Sequence, residues 1–567
     1  MKKLIIFSLL LSMVAGFYSC LDDNNNFDYK QVNELDGAIS NMDEYGYEVT
    51  VGEELTFSPT FKFTIDKENP DVSYEWYLDG QKLDVTTPSY TFSSDKYGIY
   101  ELTYSVVDNK TGVKFSKSTK ITVTSAYLQG WAILSDIDGR SALSFIKVKT
   151  VKKLYYNSYG EEAYKDSVVY EEVEKDIVPN LGTEPHCLLE STGYWDLAFQ
   201  EVNSGEEVLY DELVVMQGSK WVELNGNSLM KSVYTVEEFN GNIPDDFSPV
   251  NAVMTYSSKF LFNKNGYIYY NQRAVANDFH AGFYLSDPIW GGTRFKAMYG
   301  IQKFNDLMCT VPVLTLDNSL QYIWDGGMTN SFPTISMNSL IYSGNVYEIL
   351  DNEGEADPRF QNMESEIITM VPAATGNDDG YDTCTPRWIA LMKKDGNYFM
   401  RNFSLNTYYE DPPVRVGDYL EKSIKGEMFT DYKDMVVFQN KRYAVIANGA
   451  ELWYCSTTDE GDSGMKIKLE NGDALPGDIV SLSYLDMNYY SPEKYVNGHL
   501  GVAFDNGEFR IYEVIEHKTG GVVNEVTLKK LYPNEVSNSR GDNKFGTIVD
   551  AIYKFGDCLK ITLLQIN

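Results

Sequence analysis

Two stretches of this sequence gather side chains able to grip a sugar or a peptide. "YLSDPIWGGTRF" (284–295) carries Trp290 and Arg294, and "TGNDDGYDTCTPRW" (375–388) carries Asp379, Tyr381 and Trp388. An indole or phenol face stacks on a sugar ring or a peptide plane, and a neighbouring guanidinium or carboxylate adds directional hydrogen bonds. These five residues are the candidate ligand-binding set. Each tryptophan has a competing use as packing inside a sheet, because an indole buries so much area.

Catalytic chemistry is harder to assemble from the same chain. Ser463 sits in "GDSG" (461–464), which matches the nucleophile motif of trypsin-like proteases. A serine nucleophile needs a histidine beside it, a carboxylate to orient that histidine and backbone donors for the oxyanion. Met465 and Lys466 follow where those proteases have Gly-Pro, and "EPHC" (184–187) is not their histidine segment, so the stretch reads as a polar hairpin tip. "RGD" (540–542) lies among Asn, Ser and Gly and reads as a chance triplet. "DIDG" (136–139) and "GNDDGYD" (376–382) resemble fragments of calcium loops. Neither completes the alternating ligands, sixth-position glycine and distal glutamate of such a loop, so both read as turns. Paired carboxylates could cleave glycosidic bonds, but among 82 acids spacing alone selects no pair. No catalytic residue, metal site or cofactor is expected.

Cysteine and histidine point the same way. Beyond Cys20 there are Cys187, Cys309, Cys384, Cys455 and Cys558, an odd number without a C-x-x-C pair. Neither a zinc site nor a disulfide framework is implied, and isolated thiols are expected. The four histidines are scattered. The net charge of −34 argues against nucleic-acid partners, which need lysine and arginine against phosphate, and is read chiefly as a solubility device.

The elements that must position these residues are strands. The chain has 43 Tyr, 28 Phe and 8 Trp, and no helical periodicity persists beyond about two turns. Lys2 and Lys3 precede an apolar run, Leu4 to Gly16, that is too short to span a bilayer comfortably and has the shape of a secretory signal. Residues 21–44 are polar and amide-rich and read as a flexible tether. Residues 45–125 carry strand and turn signals at the spacing of an immunoglobulin-like sandwich. Tyr74, Trp76 and Leu78 share one face, Asp79-Gly80 makes a tight hairpin, and Tyr100, Leu102, Tyr104 and Val106 share another face.

Residues 126–567 show no domain break. A glycine turn followed by an aromatic strand recurs at Gly139, Gly218, Gly266, Gly344, Gly396, Gly449 and Gly507. Seven units of about 63 residues suggest a β-propeller, whose radial closure also protects the edges of so much sheet. Six or eight blades fit the length too, and two large sandwiches are the competing architecture. The expected fold is therefore all-β, an immunoglobulin-like sandwich followed by a propeller of about seven blades.

Several of these stretches carry family resemblances. Ser19-Cys20 after the apolar run resembles the lipobox of bacterial lipoproteins, which implies cleavage after residue 19 and acylation of Cys20. The remaining chain would have 46 basic and 82 acidic residues, a net charge of −36. Asp22-Asp23 resembles the acidic export signal of surface lipoproteins in Bacteroidota. "YEWYLDG", "YGIYELTYSVVD" and "KITV" resemble a PKD domain. Together with "GWAILSDIDGRSALSFI" (130–146), "DFHAGFYLSDPIW" (278–290) and "ADPRFQN" (356–362), the layout resembles the PKD-like family lipoproteins of Bacteroidota. The resemblance implies an outer-membrane lipoprotein facing the cell exterior and held to the membrane by lipid alone. It further implies a Sus-type (TonB-dependent) transporter and its lipoprotein lid as partners, and a glycan or peptide as ligand. On this reading the protein is a non-catalytic binding or scaffold accessory. A surface glycosidase or peptidase acting on the same nutrient, or a purely structural surface protein, is the alternative.

Overall fold

A computed structural model describes residues 32–554 apart from 44, 95, 97, 125–126, 128, 157–159, 161, 171, 192–198, 201–206, 209–211, 219, 227, 256–257, 273–283, 301–309, 325–344, 374–386, 406–414, 439–440, 459–462, 487–496 and 535–542. Cys20 and its leader, Asp379, Tyr381 and the Arg-Gly-Asp triplet lie outside the described residues. The chain divides into two compact units, residues 1–125 and 126–567.

The first unit is a sandwich. Strands β1 (Tyr47–Thr50), β2 (Leu55–Phe57), β3 (Val72–Leu78), β4 (Gln81–Lys82), β5 (Tyr90–Phe92), β6 (Gly98–Asp108) and β7 (Lys114–Thr124) form two sheets, ordered β1-β7-β6-β3-β4 and β2-β5. Asp79 (φ 48°) and Gly80 (φ 74°) make the β3–β4 turn, and two positive φ values match the twist of the strands they join. Leu102, Tyr104 and Val106 are buried together, as their alternation requires. Trp76 is fully buried, packs 4.8 Å from the Tyr104 ring and donates from Nε1 to the Thr87 carbonyl at 2.9 Å.

The described part of the segment expected as a tether is part of this sandwich. The Asp36 amide donates to the Lys62 carbonyl, Ser40 and Thr60 exchange backbone bonds, and Ile39 and Met42 are buried in the core. Few apolar residues stand among the acids and amides here, so composition concealed a segment that is ordered by contacts with residues 60–64.

The second unit is a propeller. Among the described residues it contains seven sheets of four or five strands. In chain order, the innermost strands of blades 2 to 7 are Pro185–Ser191, Pro249–Met254, Phe295–Met298, Glu366–Ala373, Tyr432–Phe438 and Ile479–Leu485. Blade 1 is made from both ends of the unit. Gly130–Ile137, Arg140–Lys147 and Val173–Glu174 are joined by Thr547–Lys554, which pairs antiparallel with Gly130–Ile137 as the innermost strand. The ring is closed by a ladder between residues some 400 positions apart.

Blade strands read as apolar runs because both faces are covered. In blade 6, Val436, Val445 and Tyr454 pack with Leu482, Val502 and Tyr512 of blade 7. Met435, Val437, Ala444 and Ile446 pack instead with Ile389, Leu391 and Met400 of blade 5. Six of the seven glycines in the sequence repeat mark one equivalent place, the turn between the second and third strands of a blade. Gly344 does not. It directly precedes Asn345–Glu348, the fourth strand of blade 4, whose equivalent turn uses Asn318 at φ 70°. Asparagine tolerates the left-handed region better than other non-glycine residues, so a search for glycine passes over this turn.

Candidate functional site: the central channel

Seven innermost strands line a cavity of about 330 Å³, and residues from every blade contribute to its wall. Each of these strands carries one irregularity in its pairing with the next strand. The register shifts fall at Pro185/Cys187, Pro249/Asn251, Phe295/Ala297, Ile367/Thr369, Tyr432/Asp434, Ile479/Ser481 and Ile548/Asp550. A bulge inserts one residue, breaks the ladder locally and re-aims the side chains around it. Seven bulges at equivalent places put Cys187, Asn251, Ala297, Thr369, Asp434, Ser481 and Asp550 at one level of the ring.

Polar members of this level bond across blade boundaries. Asp550 Oδ1 accepts from Ser481 Oγ at 2.8 Å, and Asp550 Oδ2 accepts from the Leu188 amide at 2.9 Å and from Cys187 Sγ at 3.1 Å. One carboxylate of blade 1 therefore holds blades 7 and 2. Asp434 Oδ2 accepts from the Leu482 amide at 2.8 Å, tying blade 6 to blade 7. Asn251 Nδ2 donates to the Met298 carbonyl at 2.7 Å, tying blade 3 to blade 4. Met298, Met370, Met435, Val371, Val437, Val480 and Val549 supply the apolar part of the cavity wall. Tyr299 also lines it. Burial, aided by the charge of Glu366, pushes its phenol up to about 12, so the hydroxyl stays a neutral donor.

This chemistry is that of a mixed polar and apolar pocket. A carboxylate that accepts two or three bonds from fixed donors is held by them, whereas an acid–base pair needs oxygens free to meet substrate. Asp434 and Asp550 are of the first kind.

Of the residues singled out from sequence, the described Trp290, Arg294 and Trp388 do not line this cavity. Trp388 is a correction. It is 1 % exposed, sits in the core shared by blades 4 and 5, and its Nε1 donates to Thr310 Oγ1 at 3.3 Å. Its alternation within Arg387–Lys394 turns it into the sheet interface. Trp290 and Arg294 fall in the connection between blades 3 and 4. Trp290 is half-buried, adopts φ 52° and packs edge-on against Phe295 at 5.6 Å. Arg294 is exposed, with its guanidinium 5.1 Å above the Tyr267 ring. The fragment "DIDG" is a hairpin turn, in which Asp136 Oδ1 accepts from the Gly139 amide.

The channel residues were missed from sequence, although a faint signal exists. "PVNAVM", "YKDMVVF", "IVSLSY" and "IVDAIY" each place a polar residue third, ahead of an apolar residue, at the start of a strand. Aligning blades on that position, in place of the glycine turn, would have found the belt.

A sandwich and a seven-bladed propeller with a polar-belted channel define this protein's architecture. Residues 20–172 match the PKD-like family, a span that covers the sandwich and continues into blade 1. No curated protein matches the chain. Among solved structures it is similar to a quinonprotein alcohol dehydrogenase-like protein from Bacteroides thetaiotaomicron, at 11 % identity over 92 % of this chain and 97 % of that one, with a TM-score of 0.27. It is also similar to the yeast Nup82–Nup159–Nup116 nucleoporin complex (9 % identity, 71 % and 98 % covered, TM-score 0.32). A third similarity is to the β-propeller domain of Cps50 (Swd1) from Myceliophteria thermophila (8 %, 61 % and 86 %, 0.28). The propeller assignment rests on the sheet order and ring closure of this chain itself.

Proposed function

We propose that the protein is a surface lipoprotein, anchored to the outer membrane through Cys20, that serves as a non-catalytic binding or scaffold accessory of a Sus-type (TonB-dependent) glycan or peptide uptake complex. The observation that carries the non-catalytic part is the state of the channel carboxylates. Asp550 and Asp434 are held by backbone amides and by Ser481, as structural ties between blades. The anchor reading is supported by the signal-like leader ending at Ser19-Cys20 and by a PKD-like match that begins at residue 20. On this reading the channel, with its apolar wall and polar belt, takes a small piece of the nutrient, on the scale of one or two sugar or amino-acid residues.

Tagged full-length protein, recovered from detergent-solubilised outer membrane and identified together with whatever accompanies it, tests the proposal. A transporter and its lid in stoichiometric amounts are expected. Recovery of the protein alone under every growth condition would overturn the accessory role, and product release from a broad polysaccharide and peptide panel would overturn the non-catalytic one.

A further inference from the structure

A second polar cluster lies away from the channel, where blade 2 meets blade 3. Glu223 comes from the third strand of blade 2 and Glu238 from the 3-10 turn Thr235–Glu238 that leads into blade 3. Lys259 and Asn271 are directly opposite each other on the second and third strands of blade 3. All four are at least nine-tenths buried. Lys259 Nζ donates to Glu223 Oε1 and Oε2 at 2.8 and 2.7 Å and to Glu238 Oε1 at 2.8 Å. One ammonium thus serves two carboxylates.

Two oxygens of this cluster are buried with no hydrogen-bond partner, Glu238 Oε2 and Asn271 Oδ1. The amide orientation of Asn271 is set by its surroundings. Its Nδ2 donates to Glu238 Oε1 at 3.2 Å, and a flipped amide would turn oxygen against carboxylate. Asn271 must therefore present its oxygen elsewhere, and that oxygen stays unmet. Buried polar atoms are almost always paired, and an exception in a native fold marks a missing donor, a water or an ion. The exception here is double, and one of the two oxygens belongs to a carboxylate.

We infer that Glu238 Oε2 and Asn271 Oδ1 bind a monovalent cation at the seam between blades 2 and 3. A carboxylate oxygen and an amide oxygen are hard ligands suited to an alkali ion. Calcium takes six to eight oxygens and several carboxylates, more than this cluster offers. A positive ion also offsets a buried carboxylate charge, which a neutral water leaves in place. The inference stands independently of the proposed function, because none of its four residues lines the channel.

Thermal unfolding of the full chain at constant ionic strength in sodium, potassium, rubidium or choline chloride tests it. The midpoint should be higher in at least one alkali salt than in choline, by about 3–5 °C at saturation. Glu238→Gln and Asn271→Leu should each remove that increment. Equal midpoints in all four salts would overturn the inference, as would an undiminished alkali increment in both variants. Should the variants not fold, wild-type crystals grown in rubidium decide the matter. Anomalous scattering beside Glu238 supports the site, and an ordered water alone at that place overturns it.

Discussion

Ser481 and Asp550 stand at equivalent positions of neighbouring innermost strands, and the serine hydroxyl donates to the aspartate at 2.8 Å. The same aspartate accepts the Leu188 amide, so the strand that closes the ring also joins the blades on either side of it. Closure and channel lining are one structure here.

Asp550→Ala should therefore destabilise the propeller well beyond the loss of one surface charge. It leaves the Leu188 amide and the Ser481 hydroxyl without this acceptor, and bonds to a charged group are worth about 1.5–3 kcal/mol each. A loss of about 3–6 kcal/mol is expected in the free energy of urea unfolding, against about 1.5–3 kcal/mol for Ser481→Ala. Equal effects would show that the carboxylate is not the hub.

Ending the chain before Thr547 should open the ring. Blade 1 would lose its innermost strand, exposing the Gly130–Ile137 edge and the buried Ile133 and Trp131. Limited proteolysis should cut blade 1 early in the truncated form and not in the full chain. The sandwich core, which is complete within residues 1–125, should resist equally in both.

Trp388→Ala is expected to cost about 3–5 kcal/mol, the range for emptying a large buried aromatic site, with no direct effect on ligand affinity. Trp290→Ala, at a half-buried position, should cost less than half as much. Denaturant midpoints of the two variants give the comparison.

Stability should fall on acidification through a single buried histidine. His499 is fully enclosed, 2.7 Å from the Tyr170 hydroxyl, and burial lowers its imidazole from 6.5 to about 4. Lys441 and Lys529 favour the neutral ring further, against the opposing charge of Glu513. The unfolded chain thus binds a proton that the folded chain refuses. Stability contributed by the neutral ring is present above pH 6.5 and declines toward pH 4, by about 3 kcal/mol in all. His499→Gln should flatten that part of the pH profile, and an unchanged slope would assign the decline to other groups.

Two glycine turns separate conformational strain from crowding. Gly396 (φ 79°) has open space where a Cβ would go, while a Cβ on Gly266 (φ 88°) would lie 2.5 Å from the Phe295 carbonyl oxygen. Gly396→Ala should cost about 1 kcal/mol for the left-handed backbone alone. Gly266→Ala should cost clearly more, because the connection between blades 3 and 4 must shift. Melting of the two variants side by side gives the answer.

Local chemistry carried much of the fold into plain view. Asp79-Gly80 and Asp138-Gly139 announce hairpins because few other residues accept two successive positive φ values. The aromatic and apolar runs announce strands, and the recurrence of both announces a repeated blade. The belt was not legible, because Ser481, Asp550 and Leu188 acquire meaning only from one another, and 362 positions separate the last two. Ile39 and Met42 were hidden for the same reason, since their partners lie across a sandwich.

By itself the sequence determined the class of the protein, an all-β chain with a sandwich before a ring of repeats, because turn and strand preferences act over a few neighbouring residues. Tertiary structure alone decided that Trp388 is core, that Asn318 takes a turn glycine's place, and which residues of the innermost strands line the channel. Each of those outcomes depends on which sheet covers a strand and on the register of its pairing. Both are settled only when the last strand closes on the first.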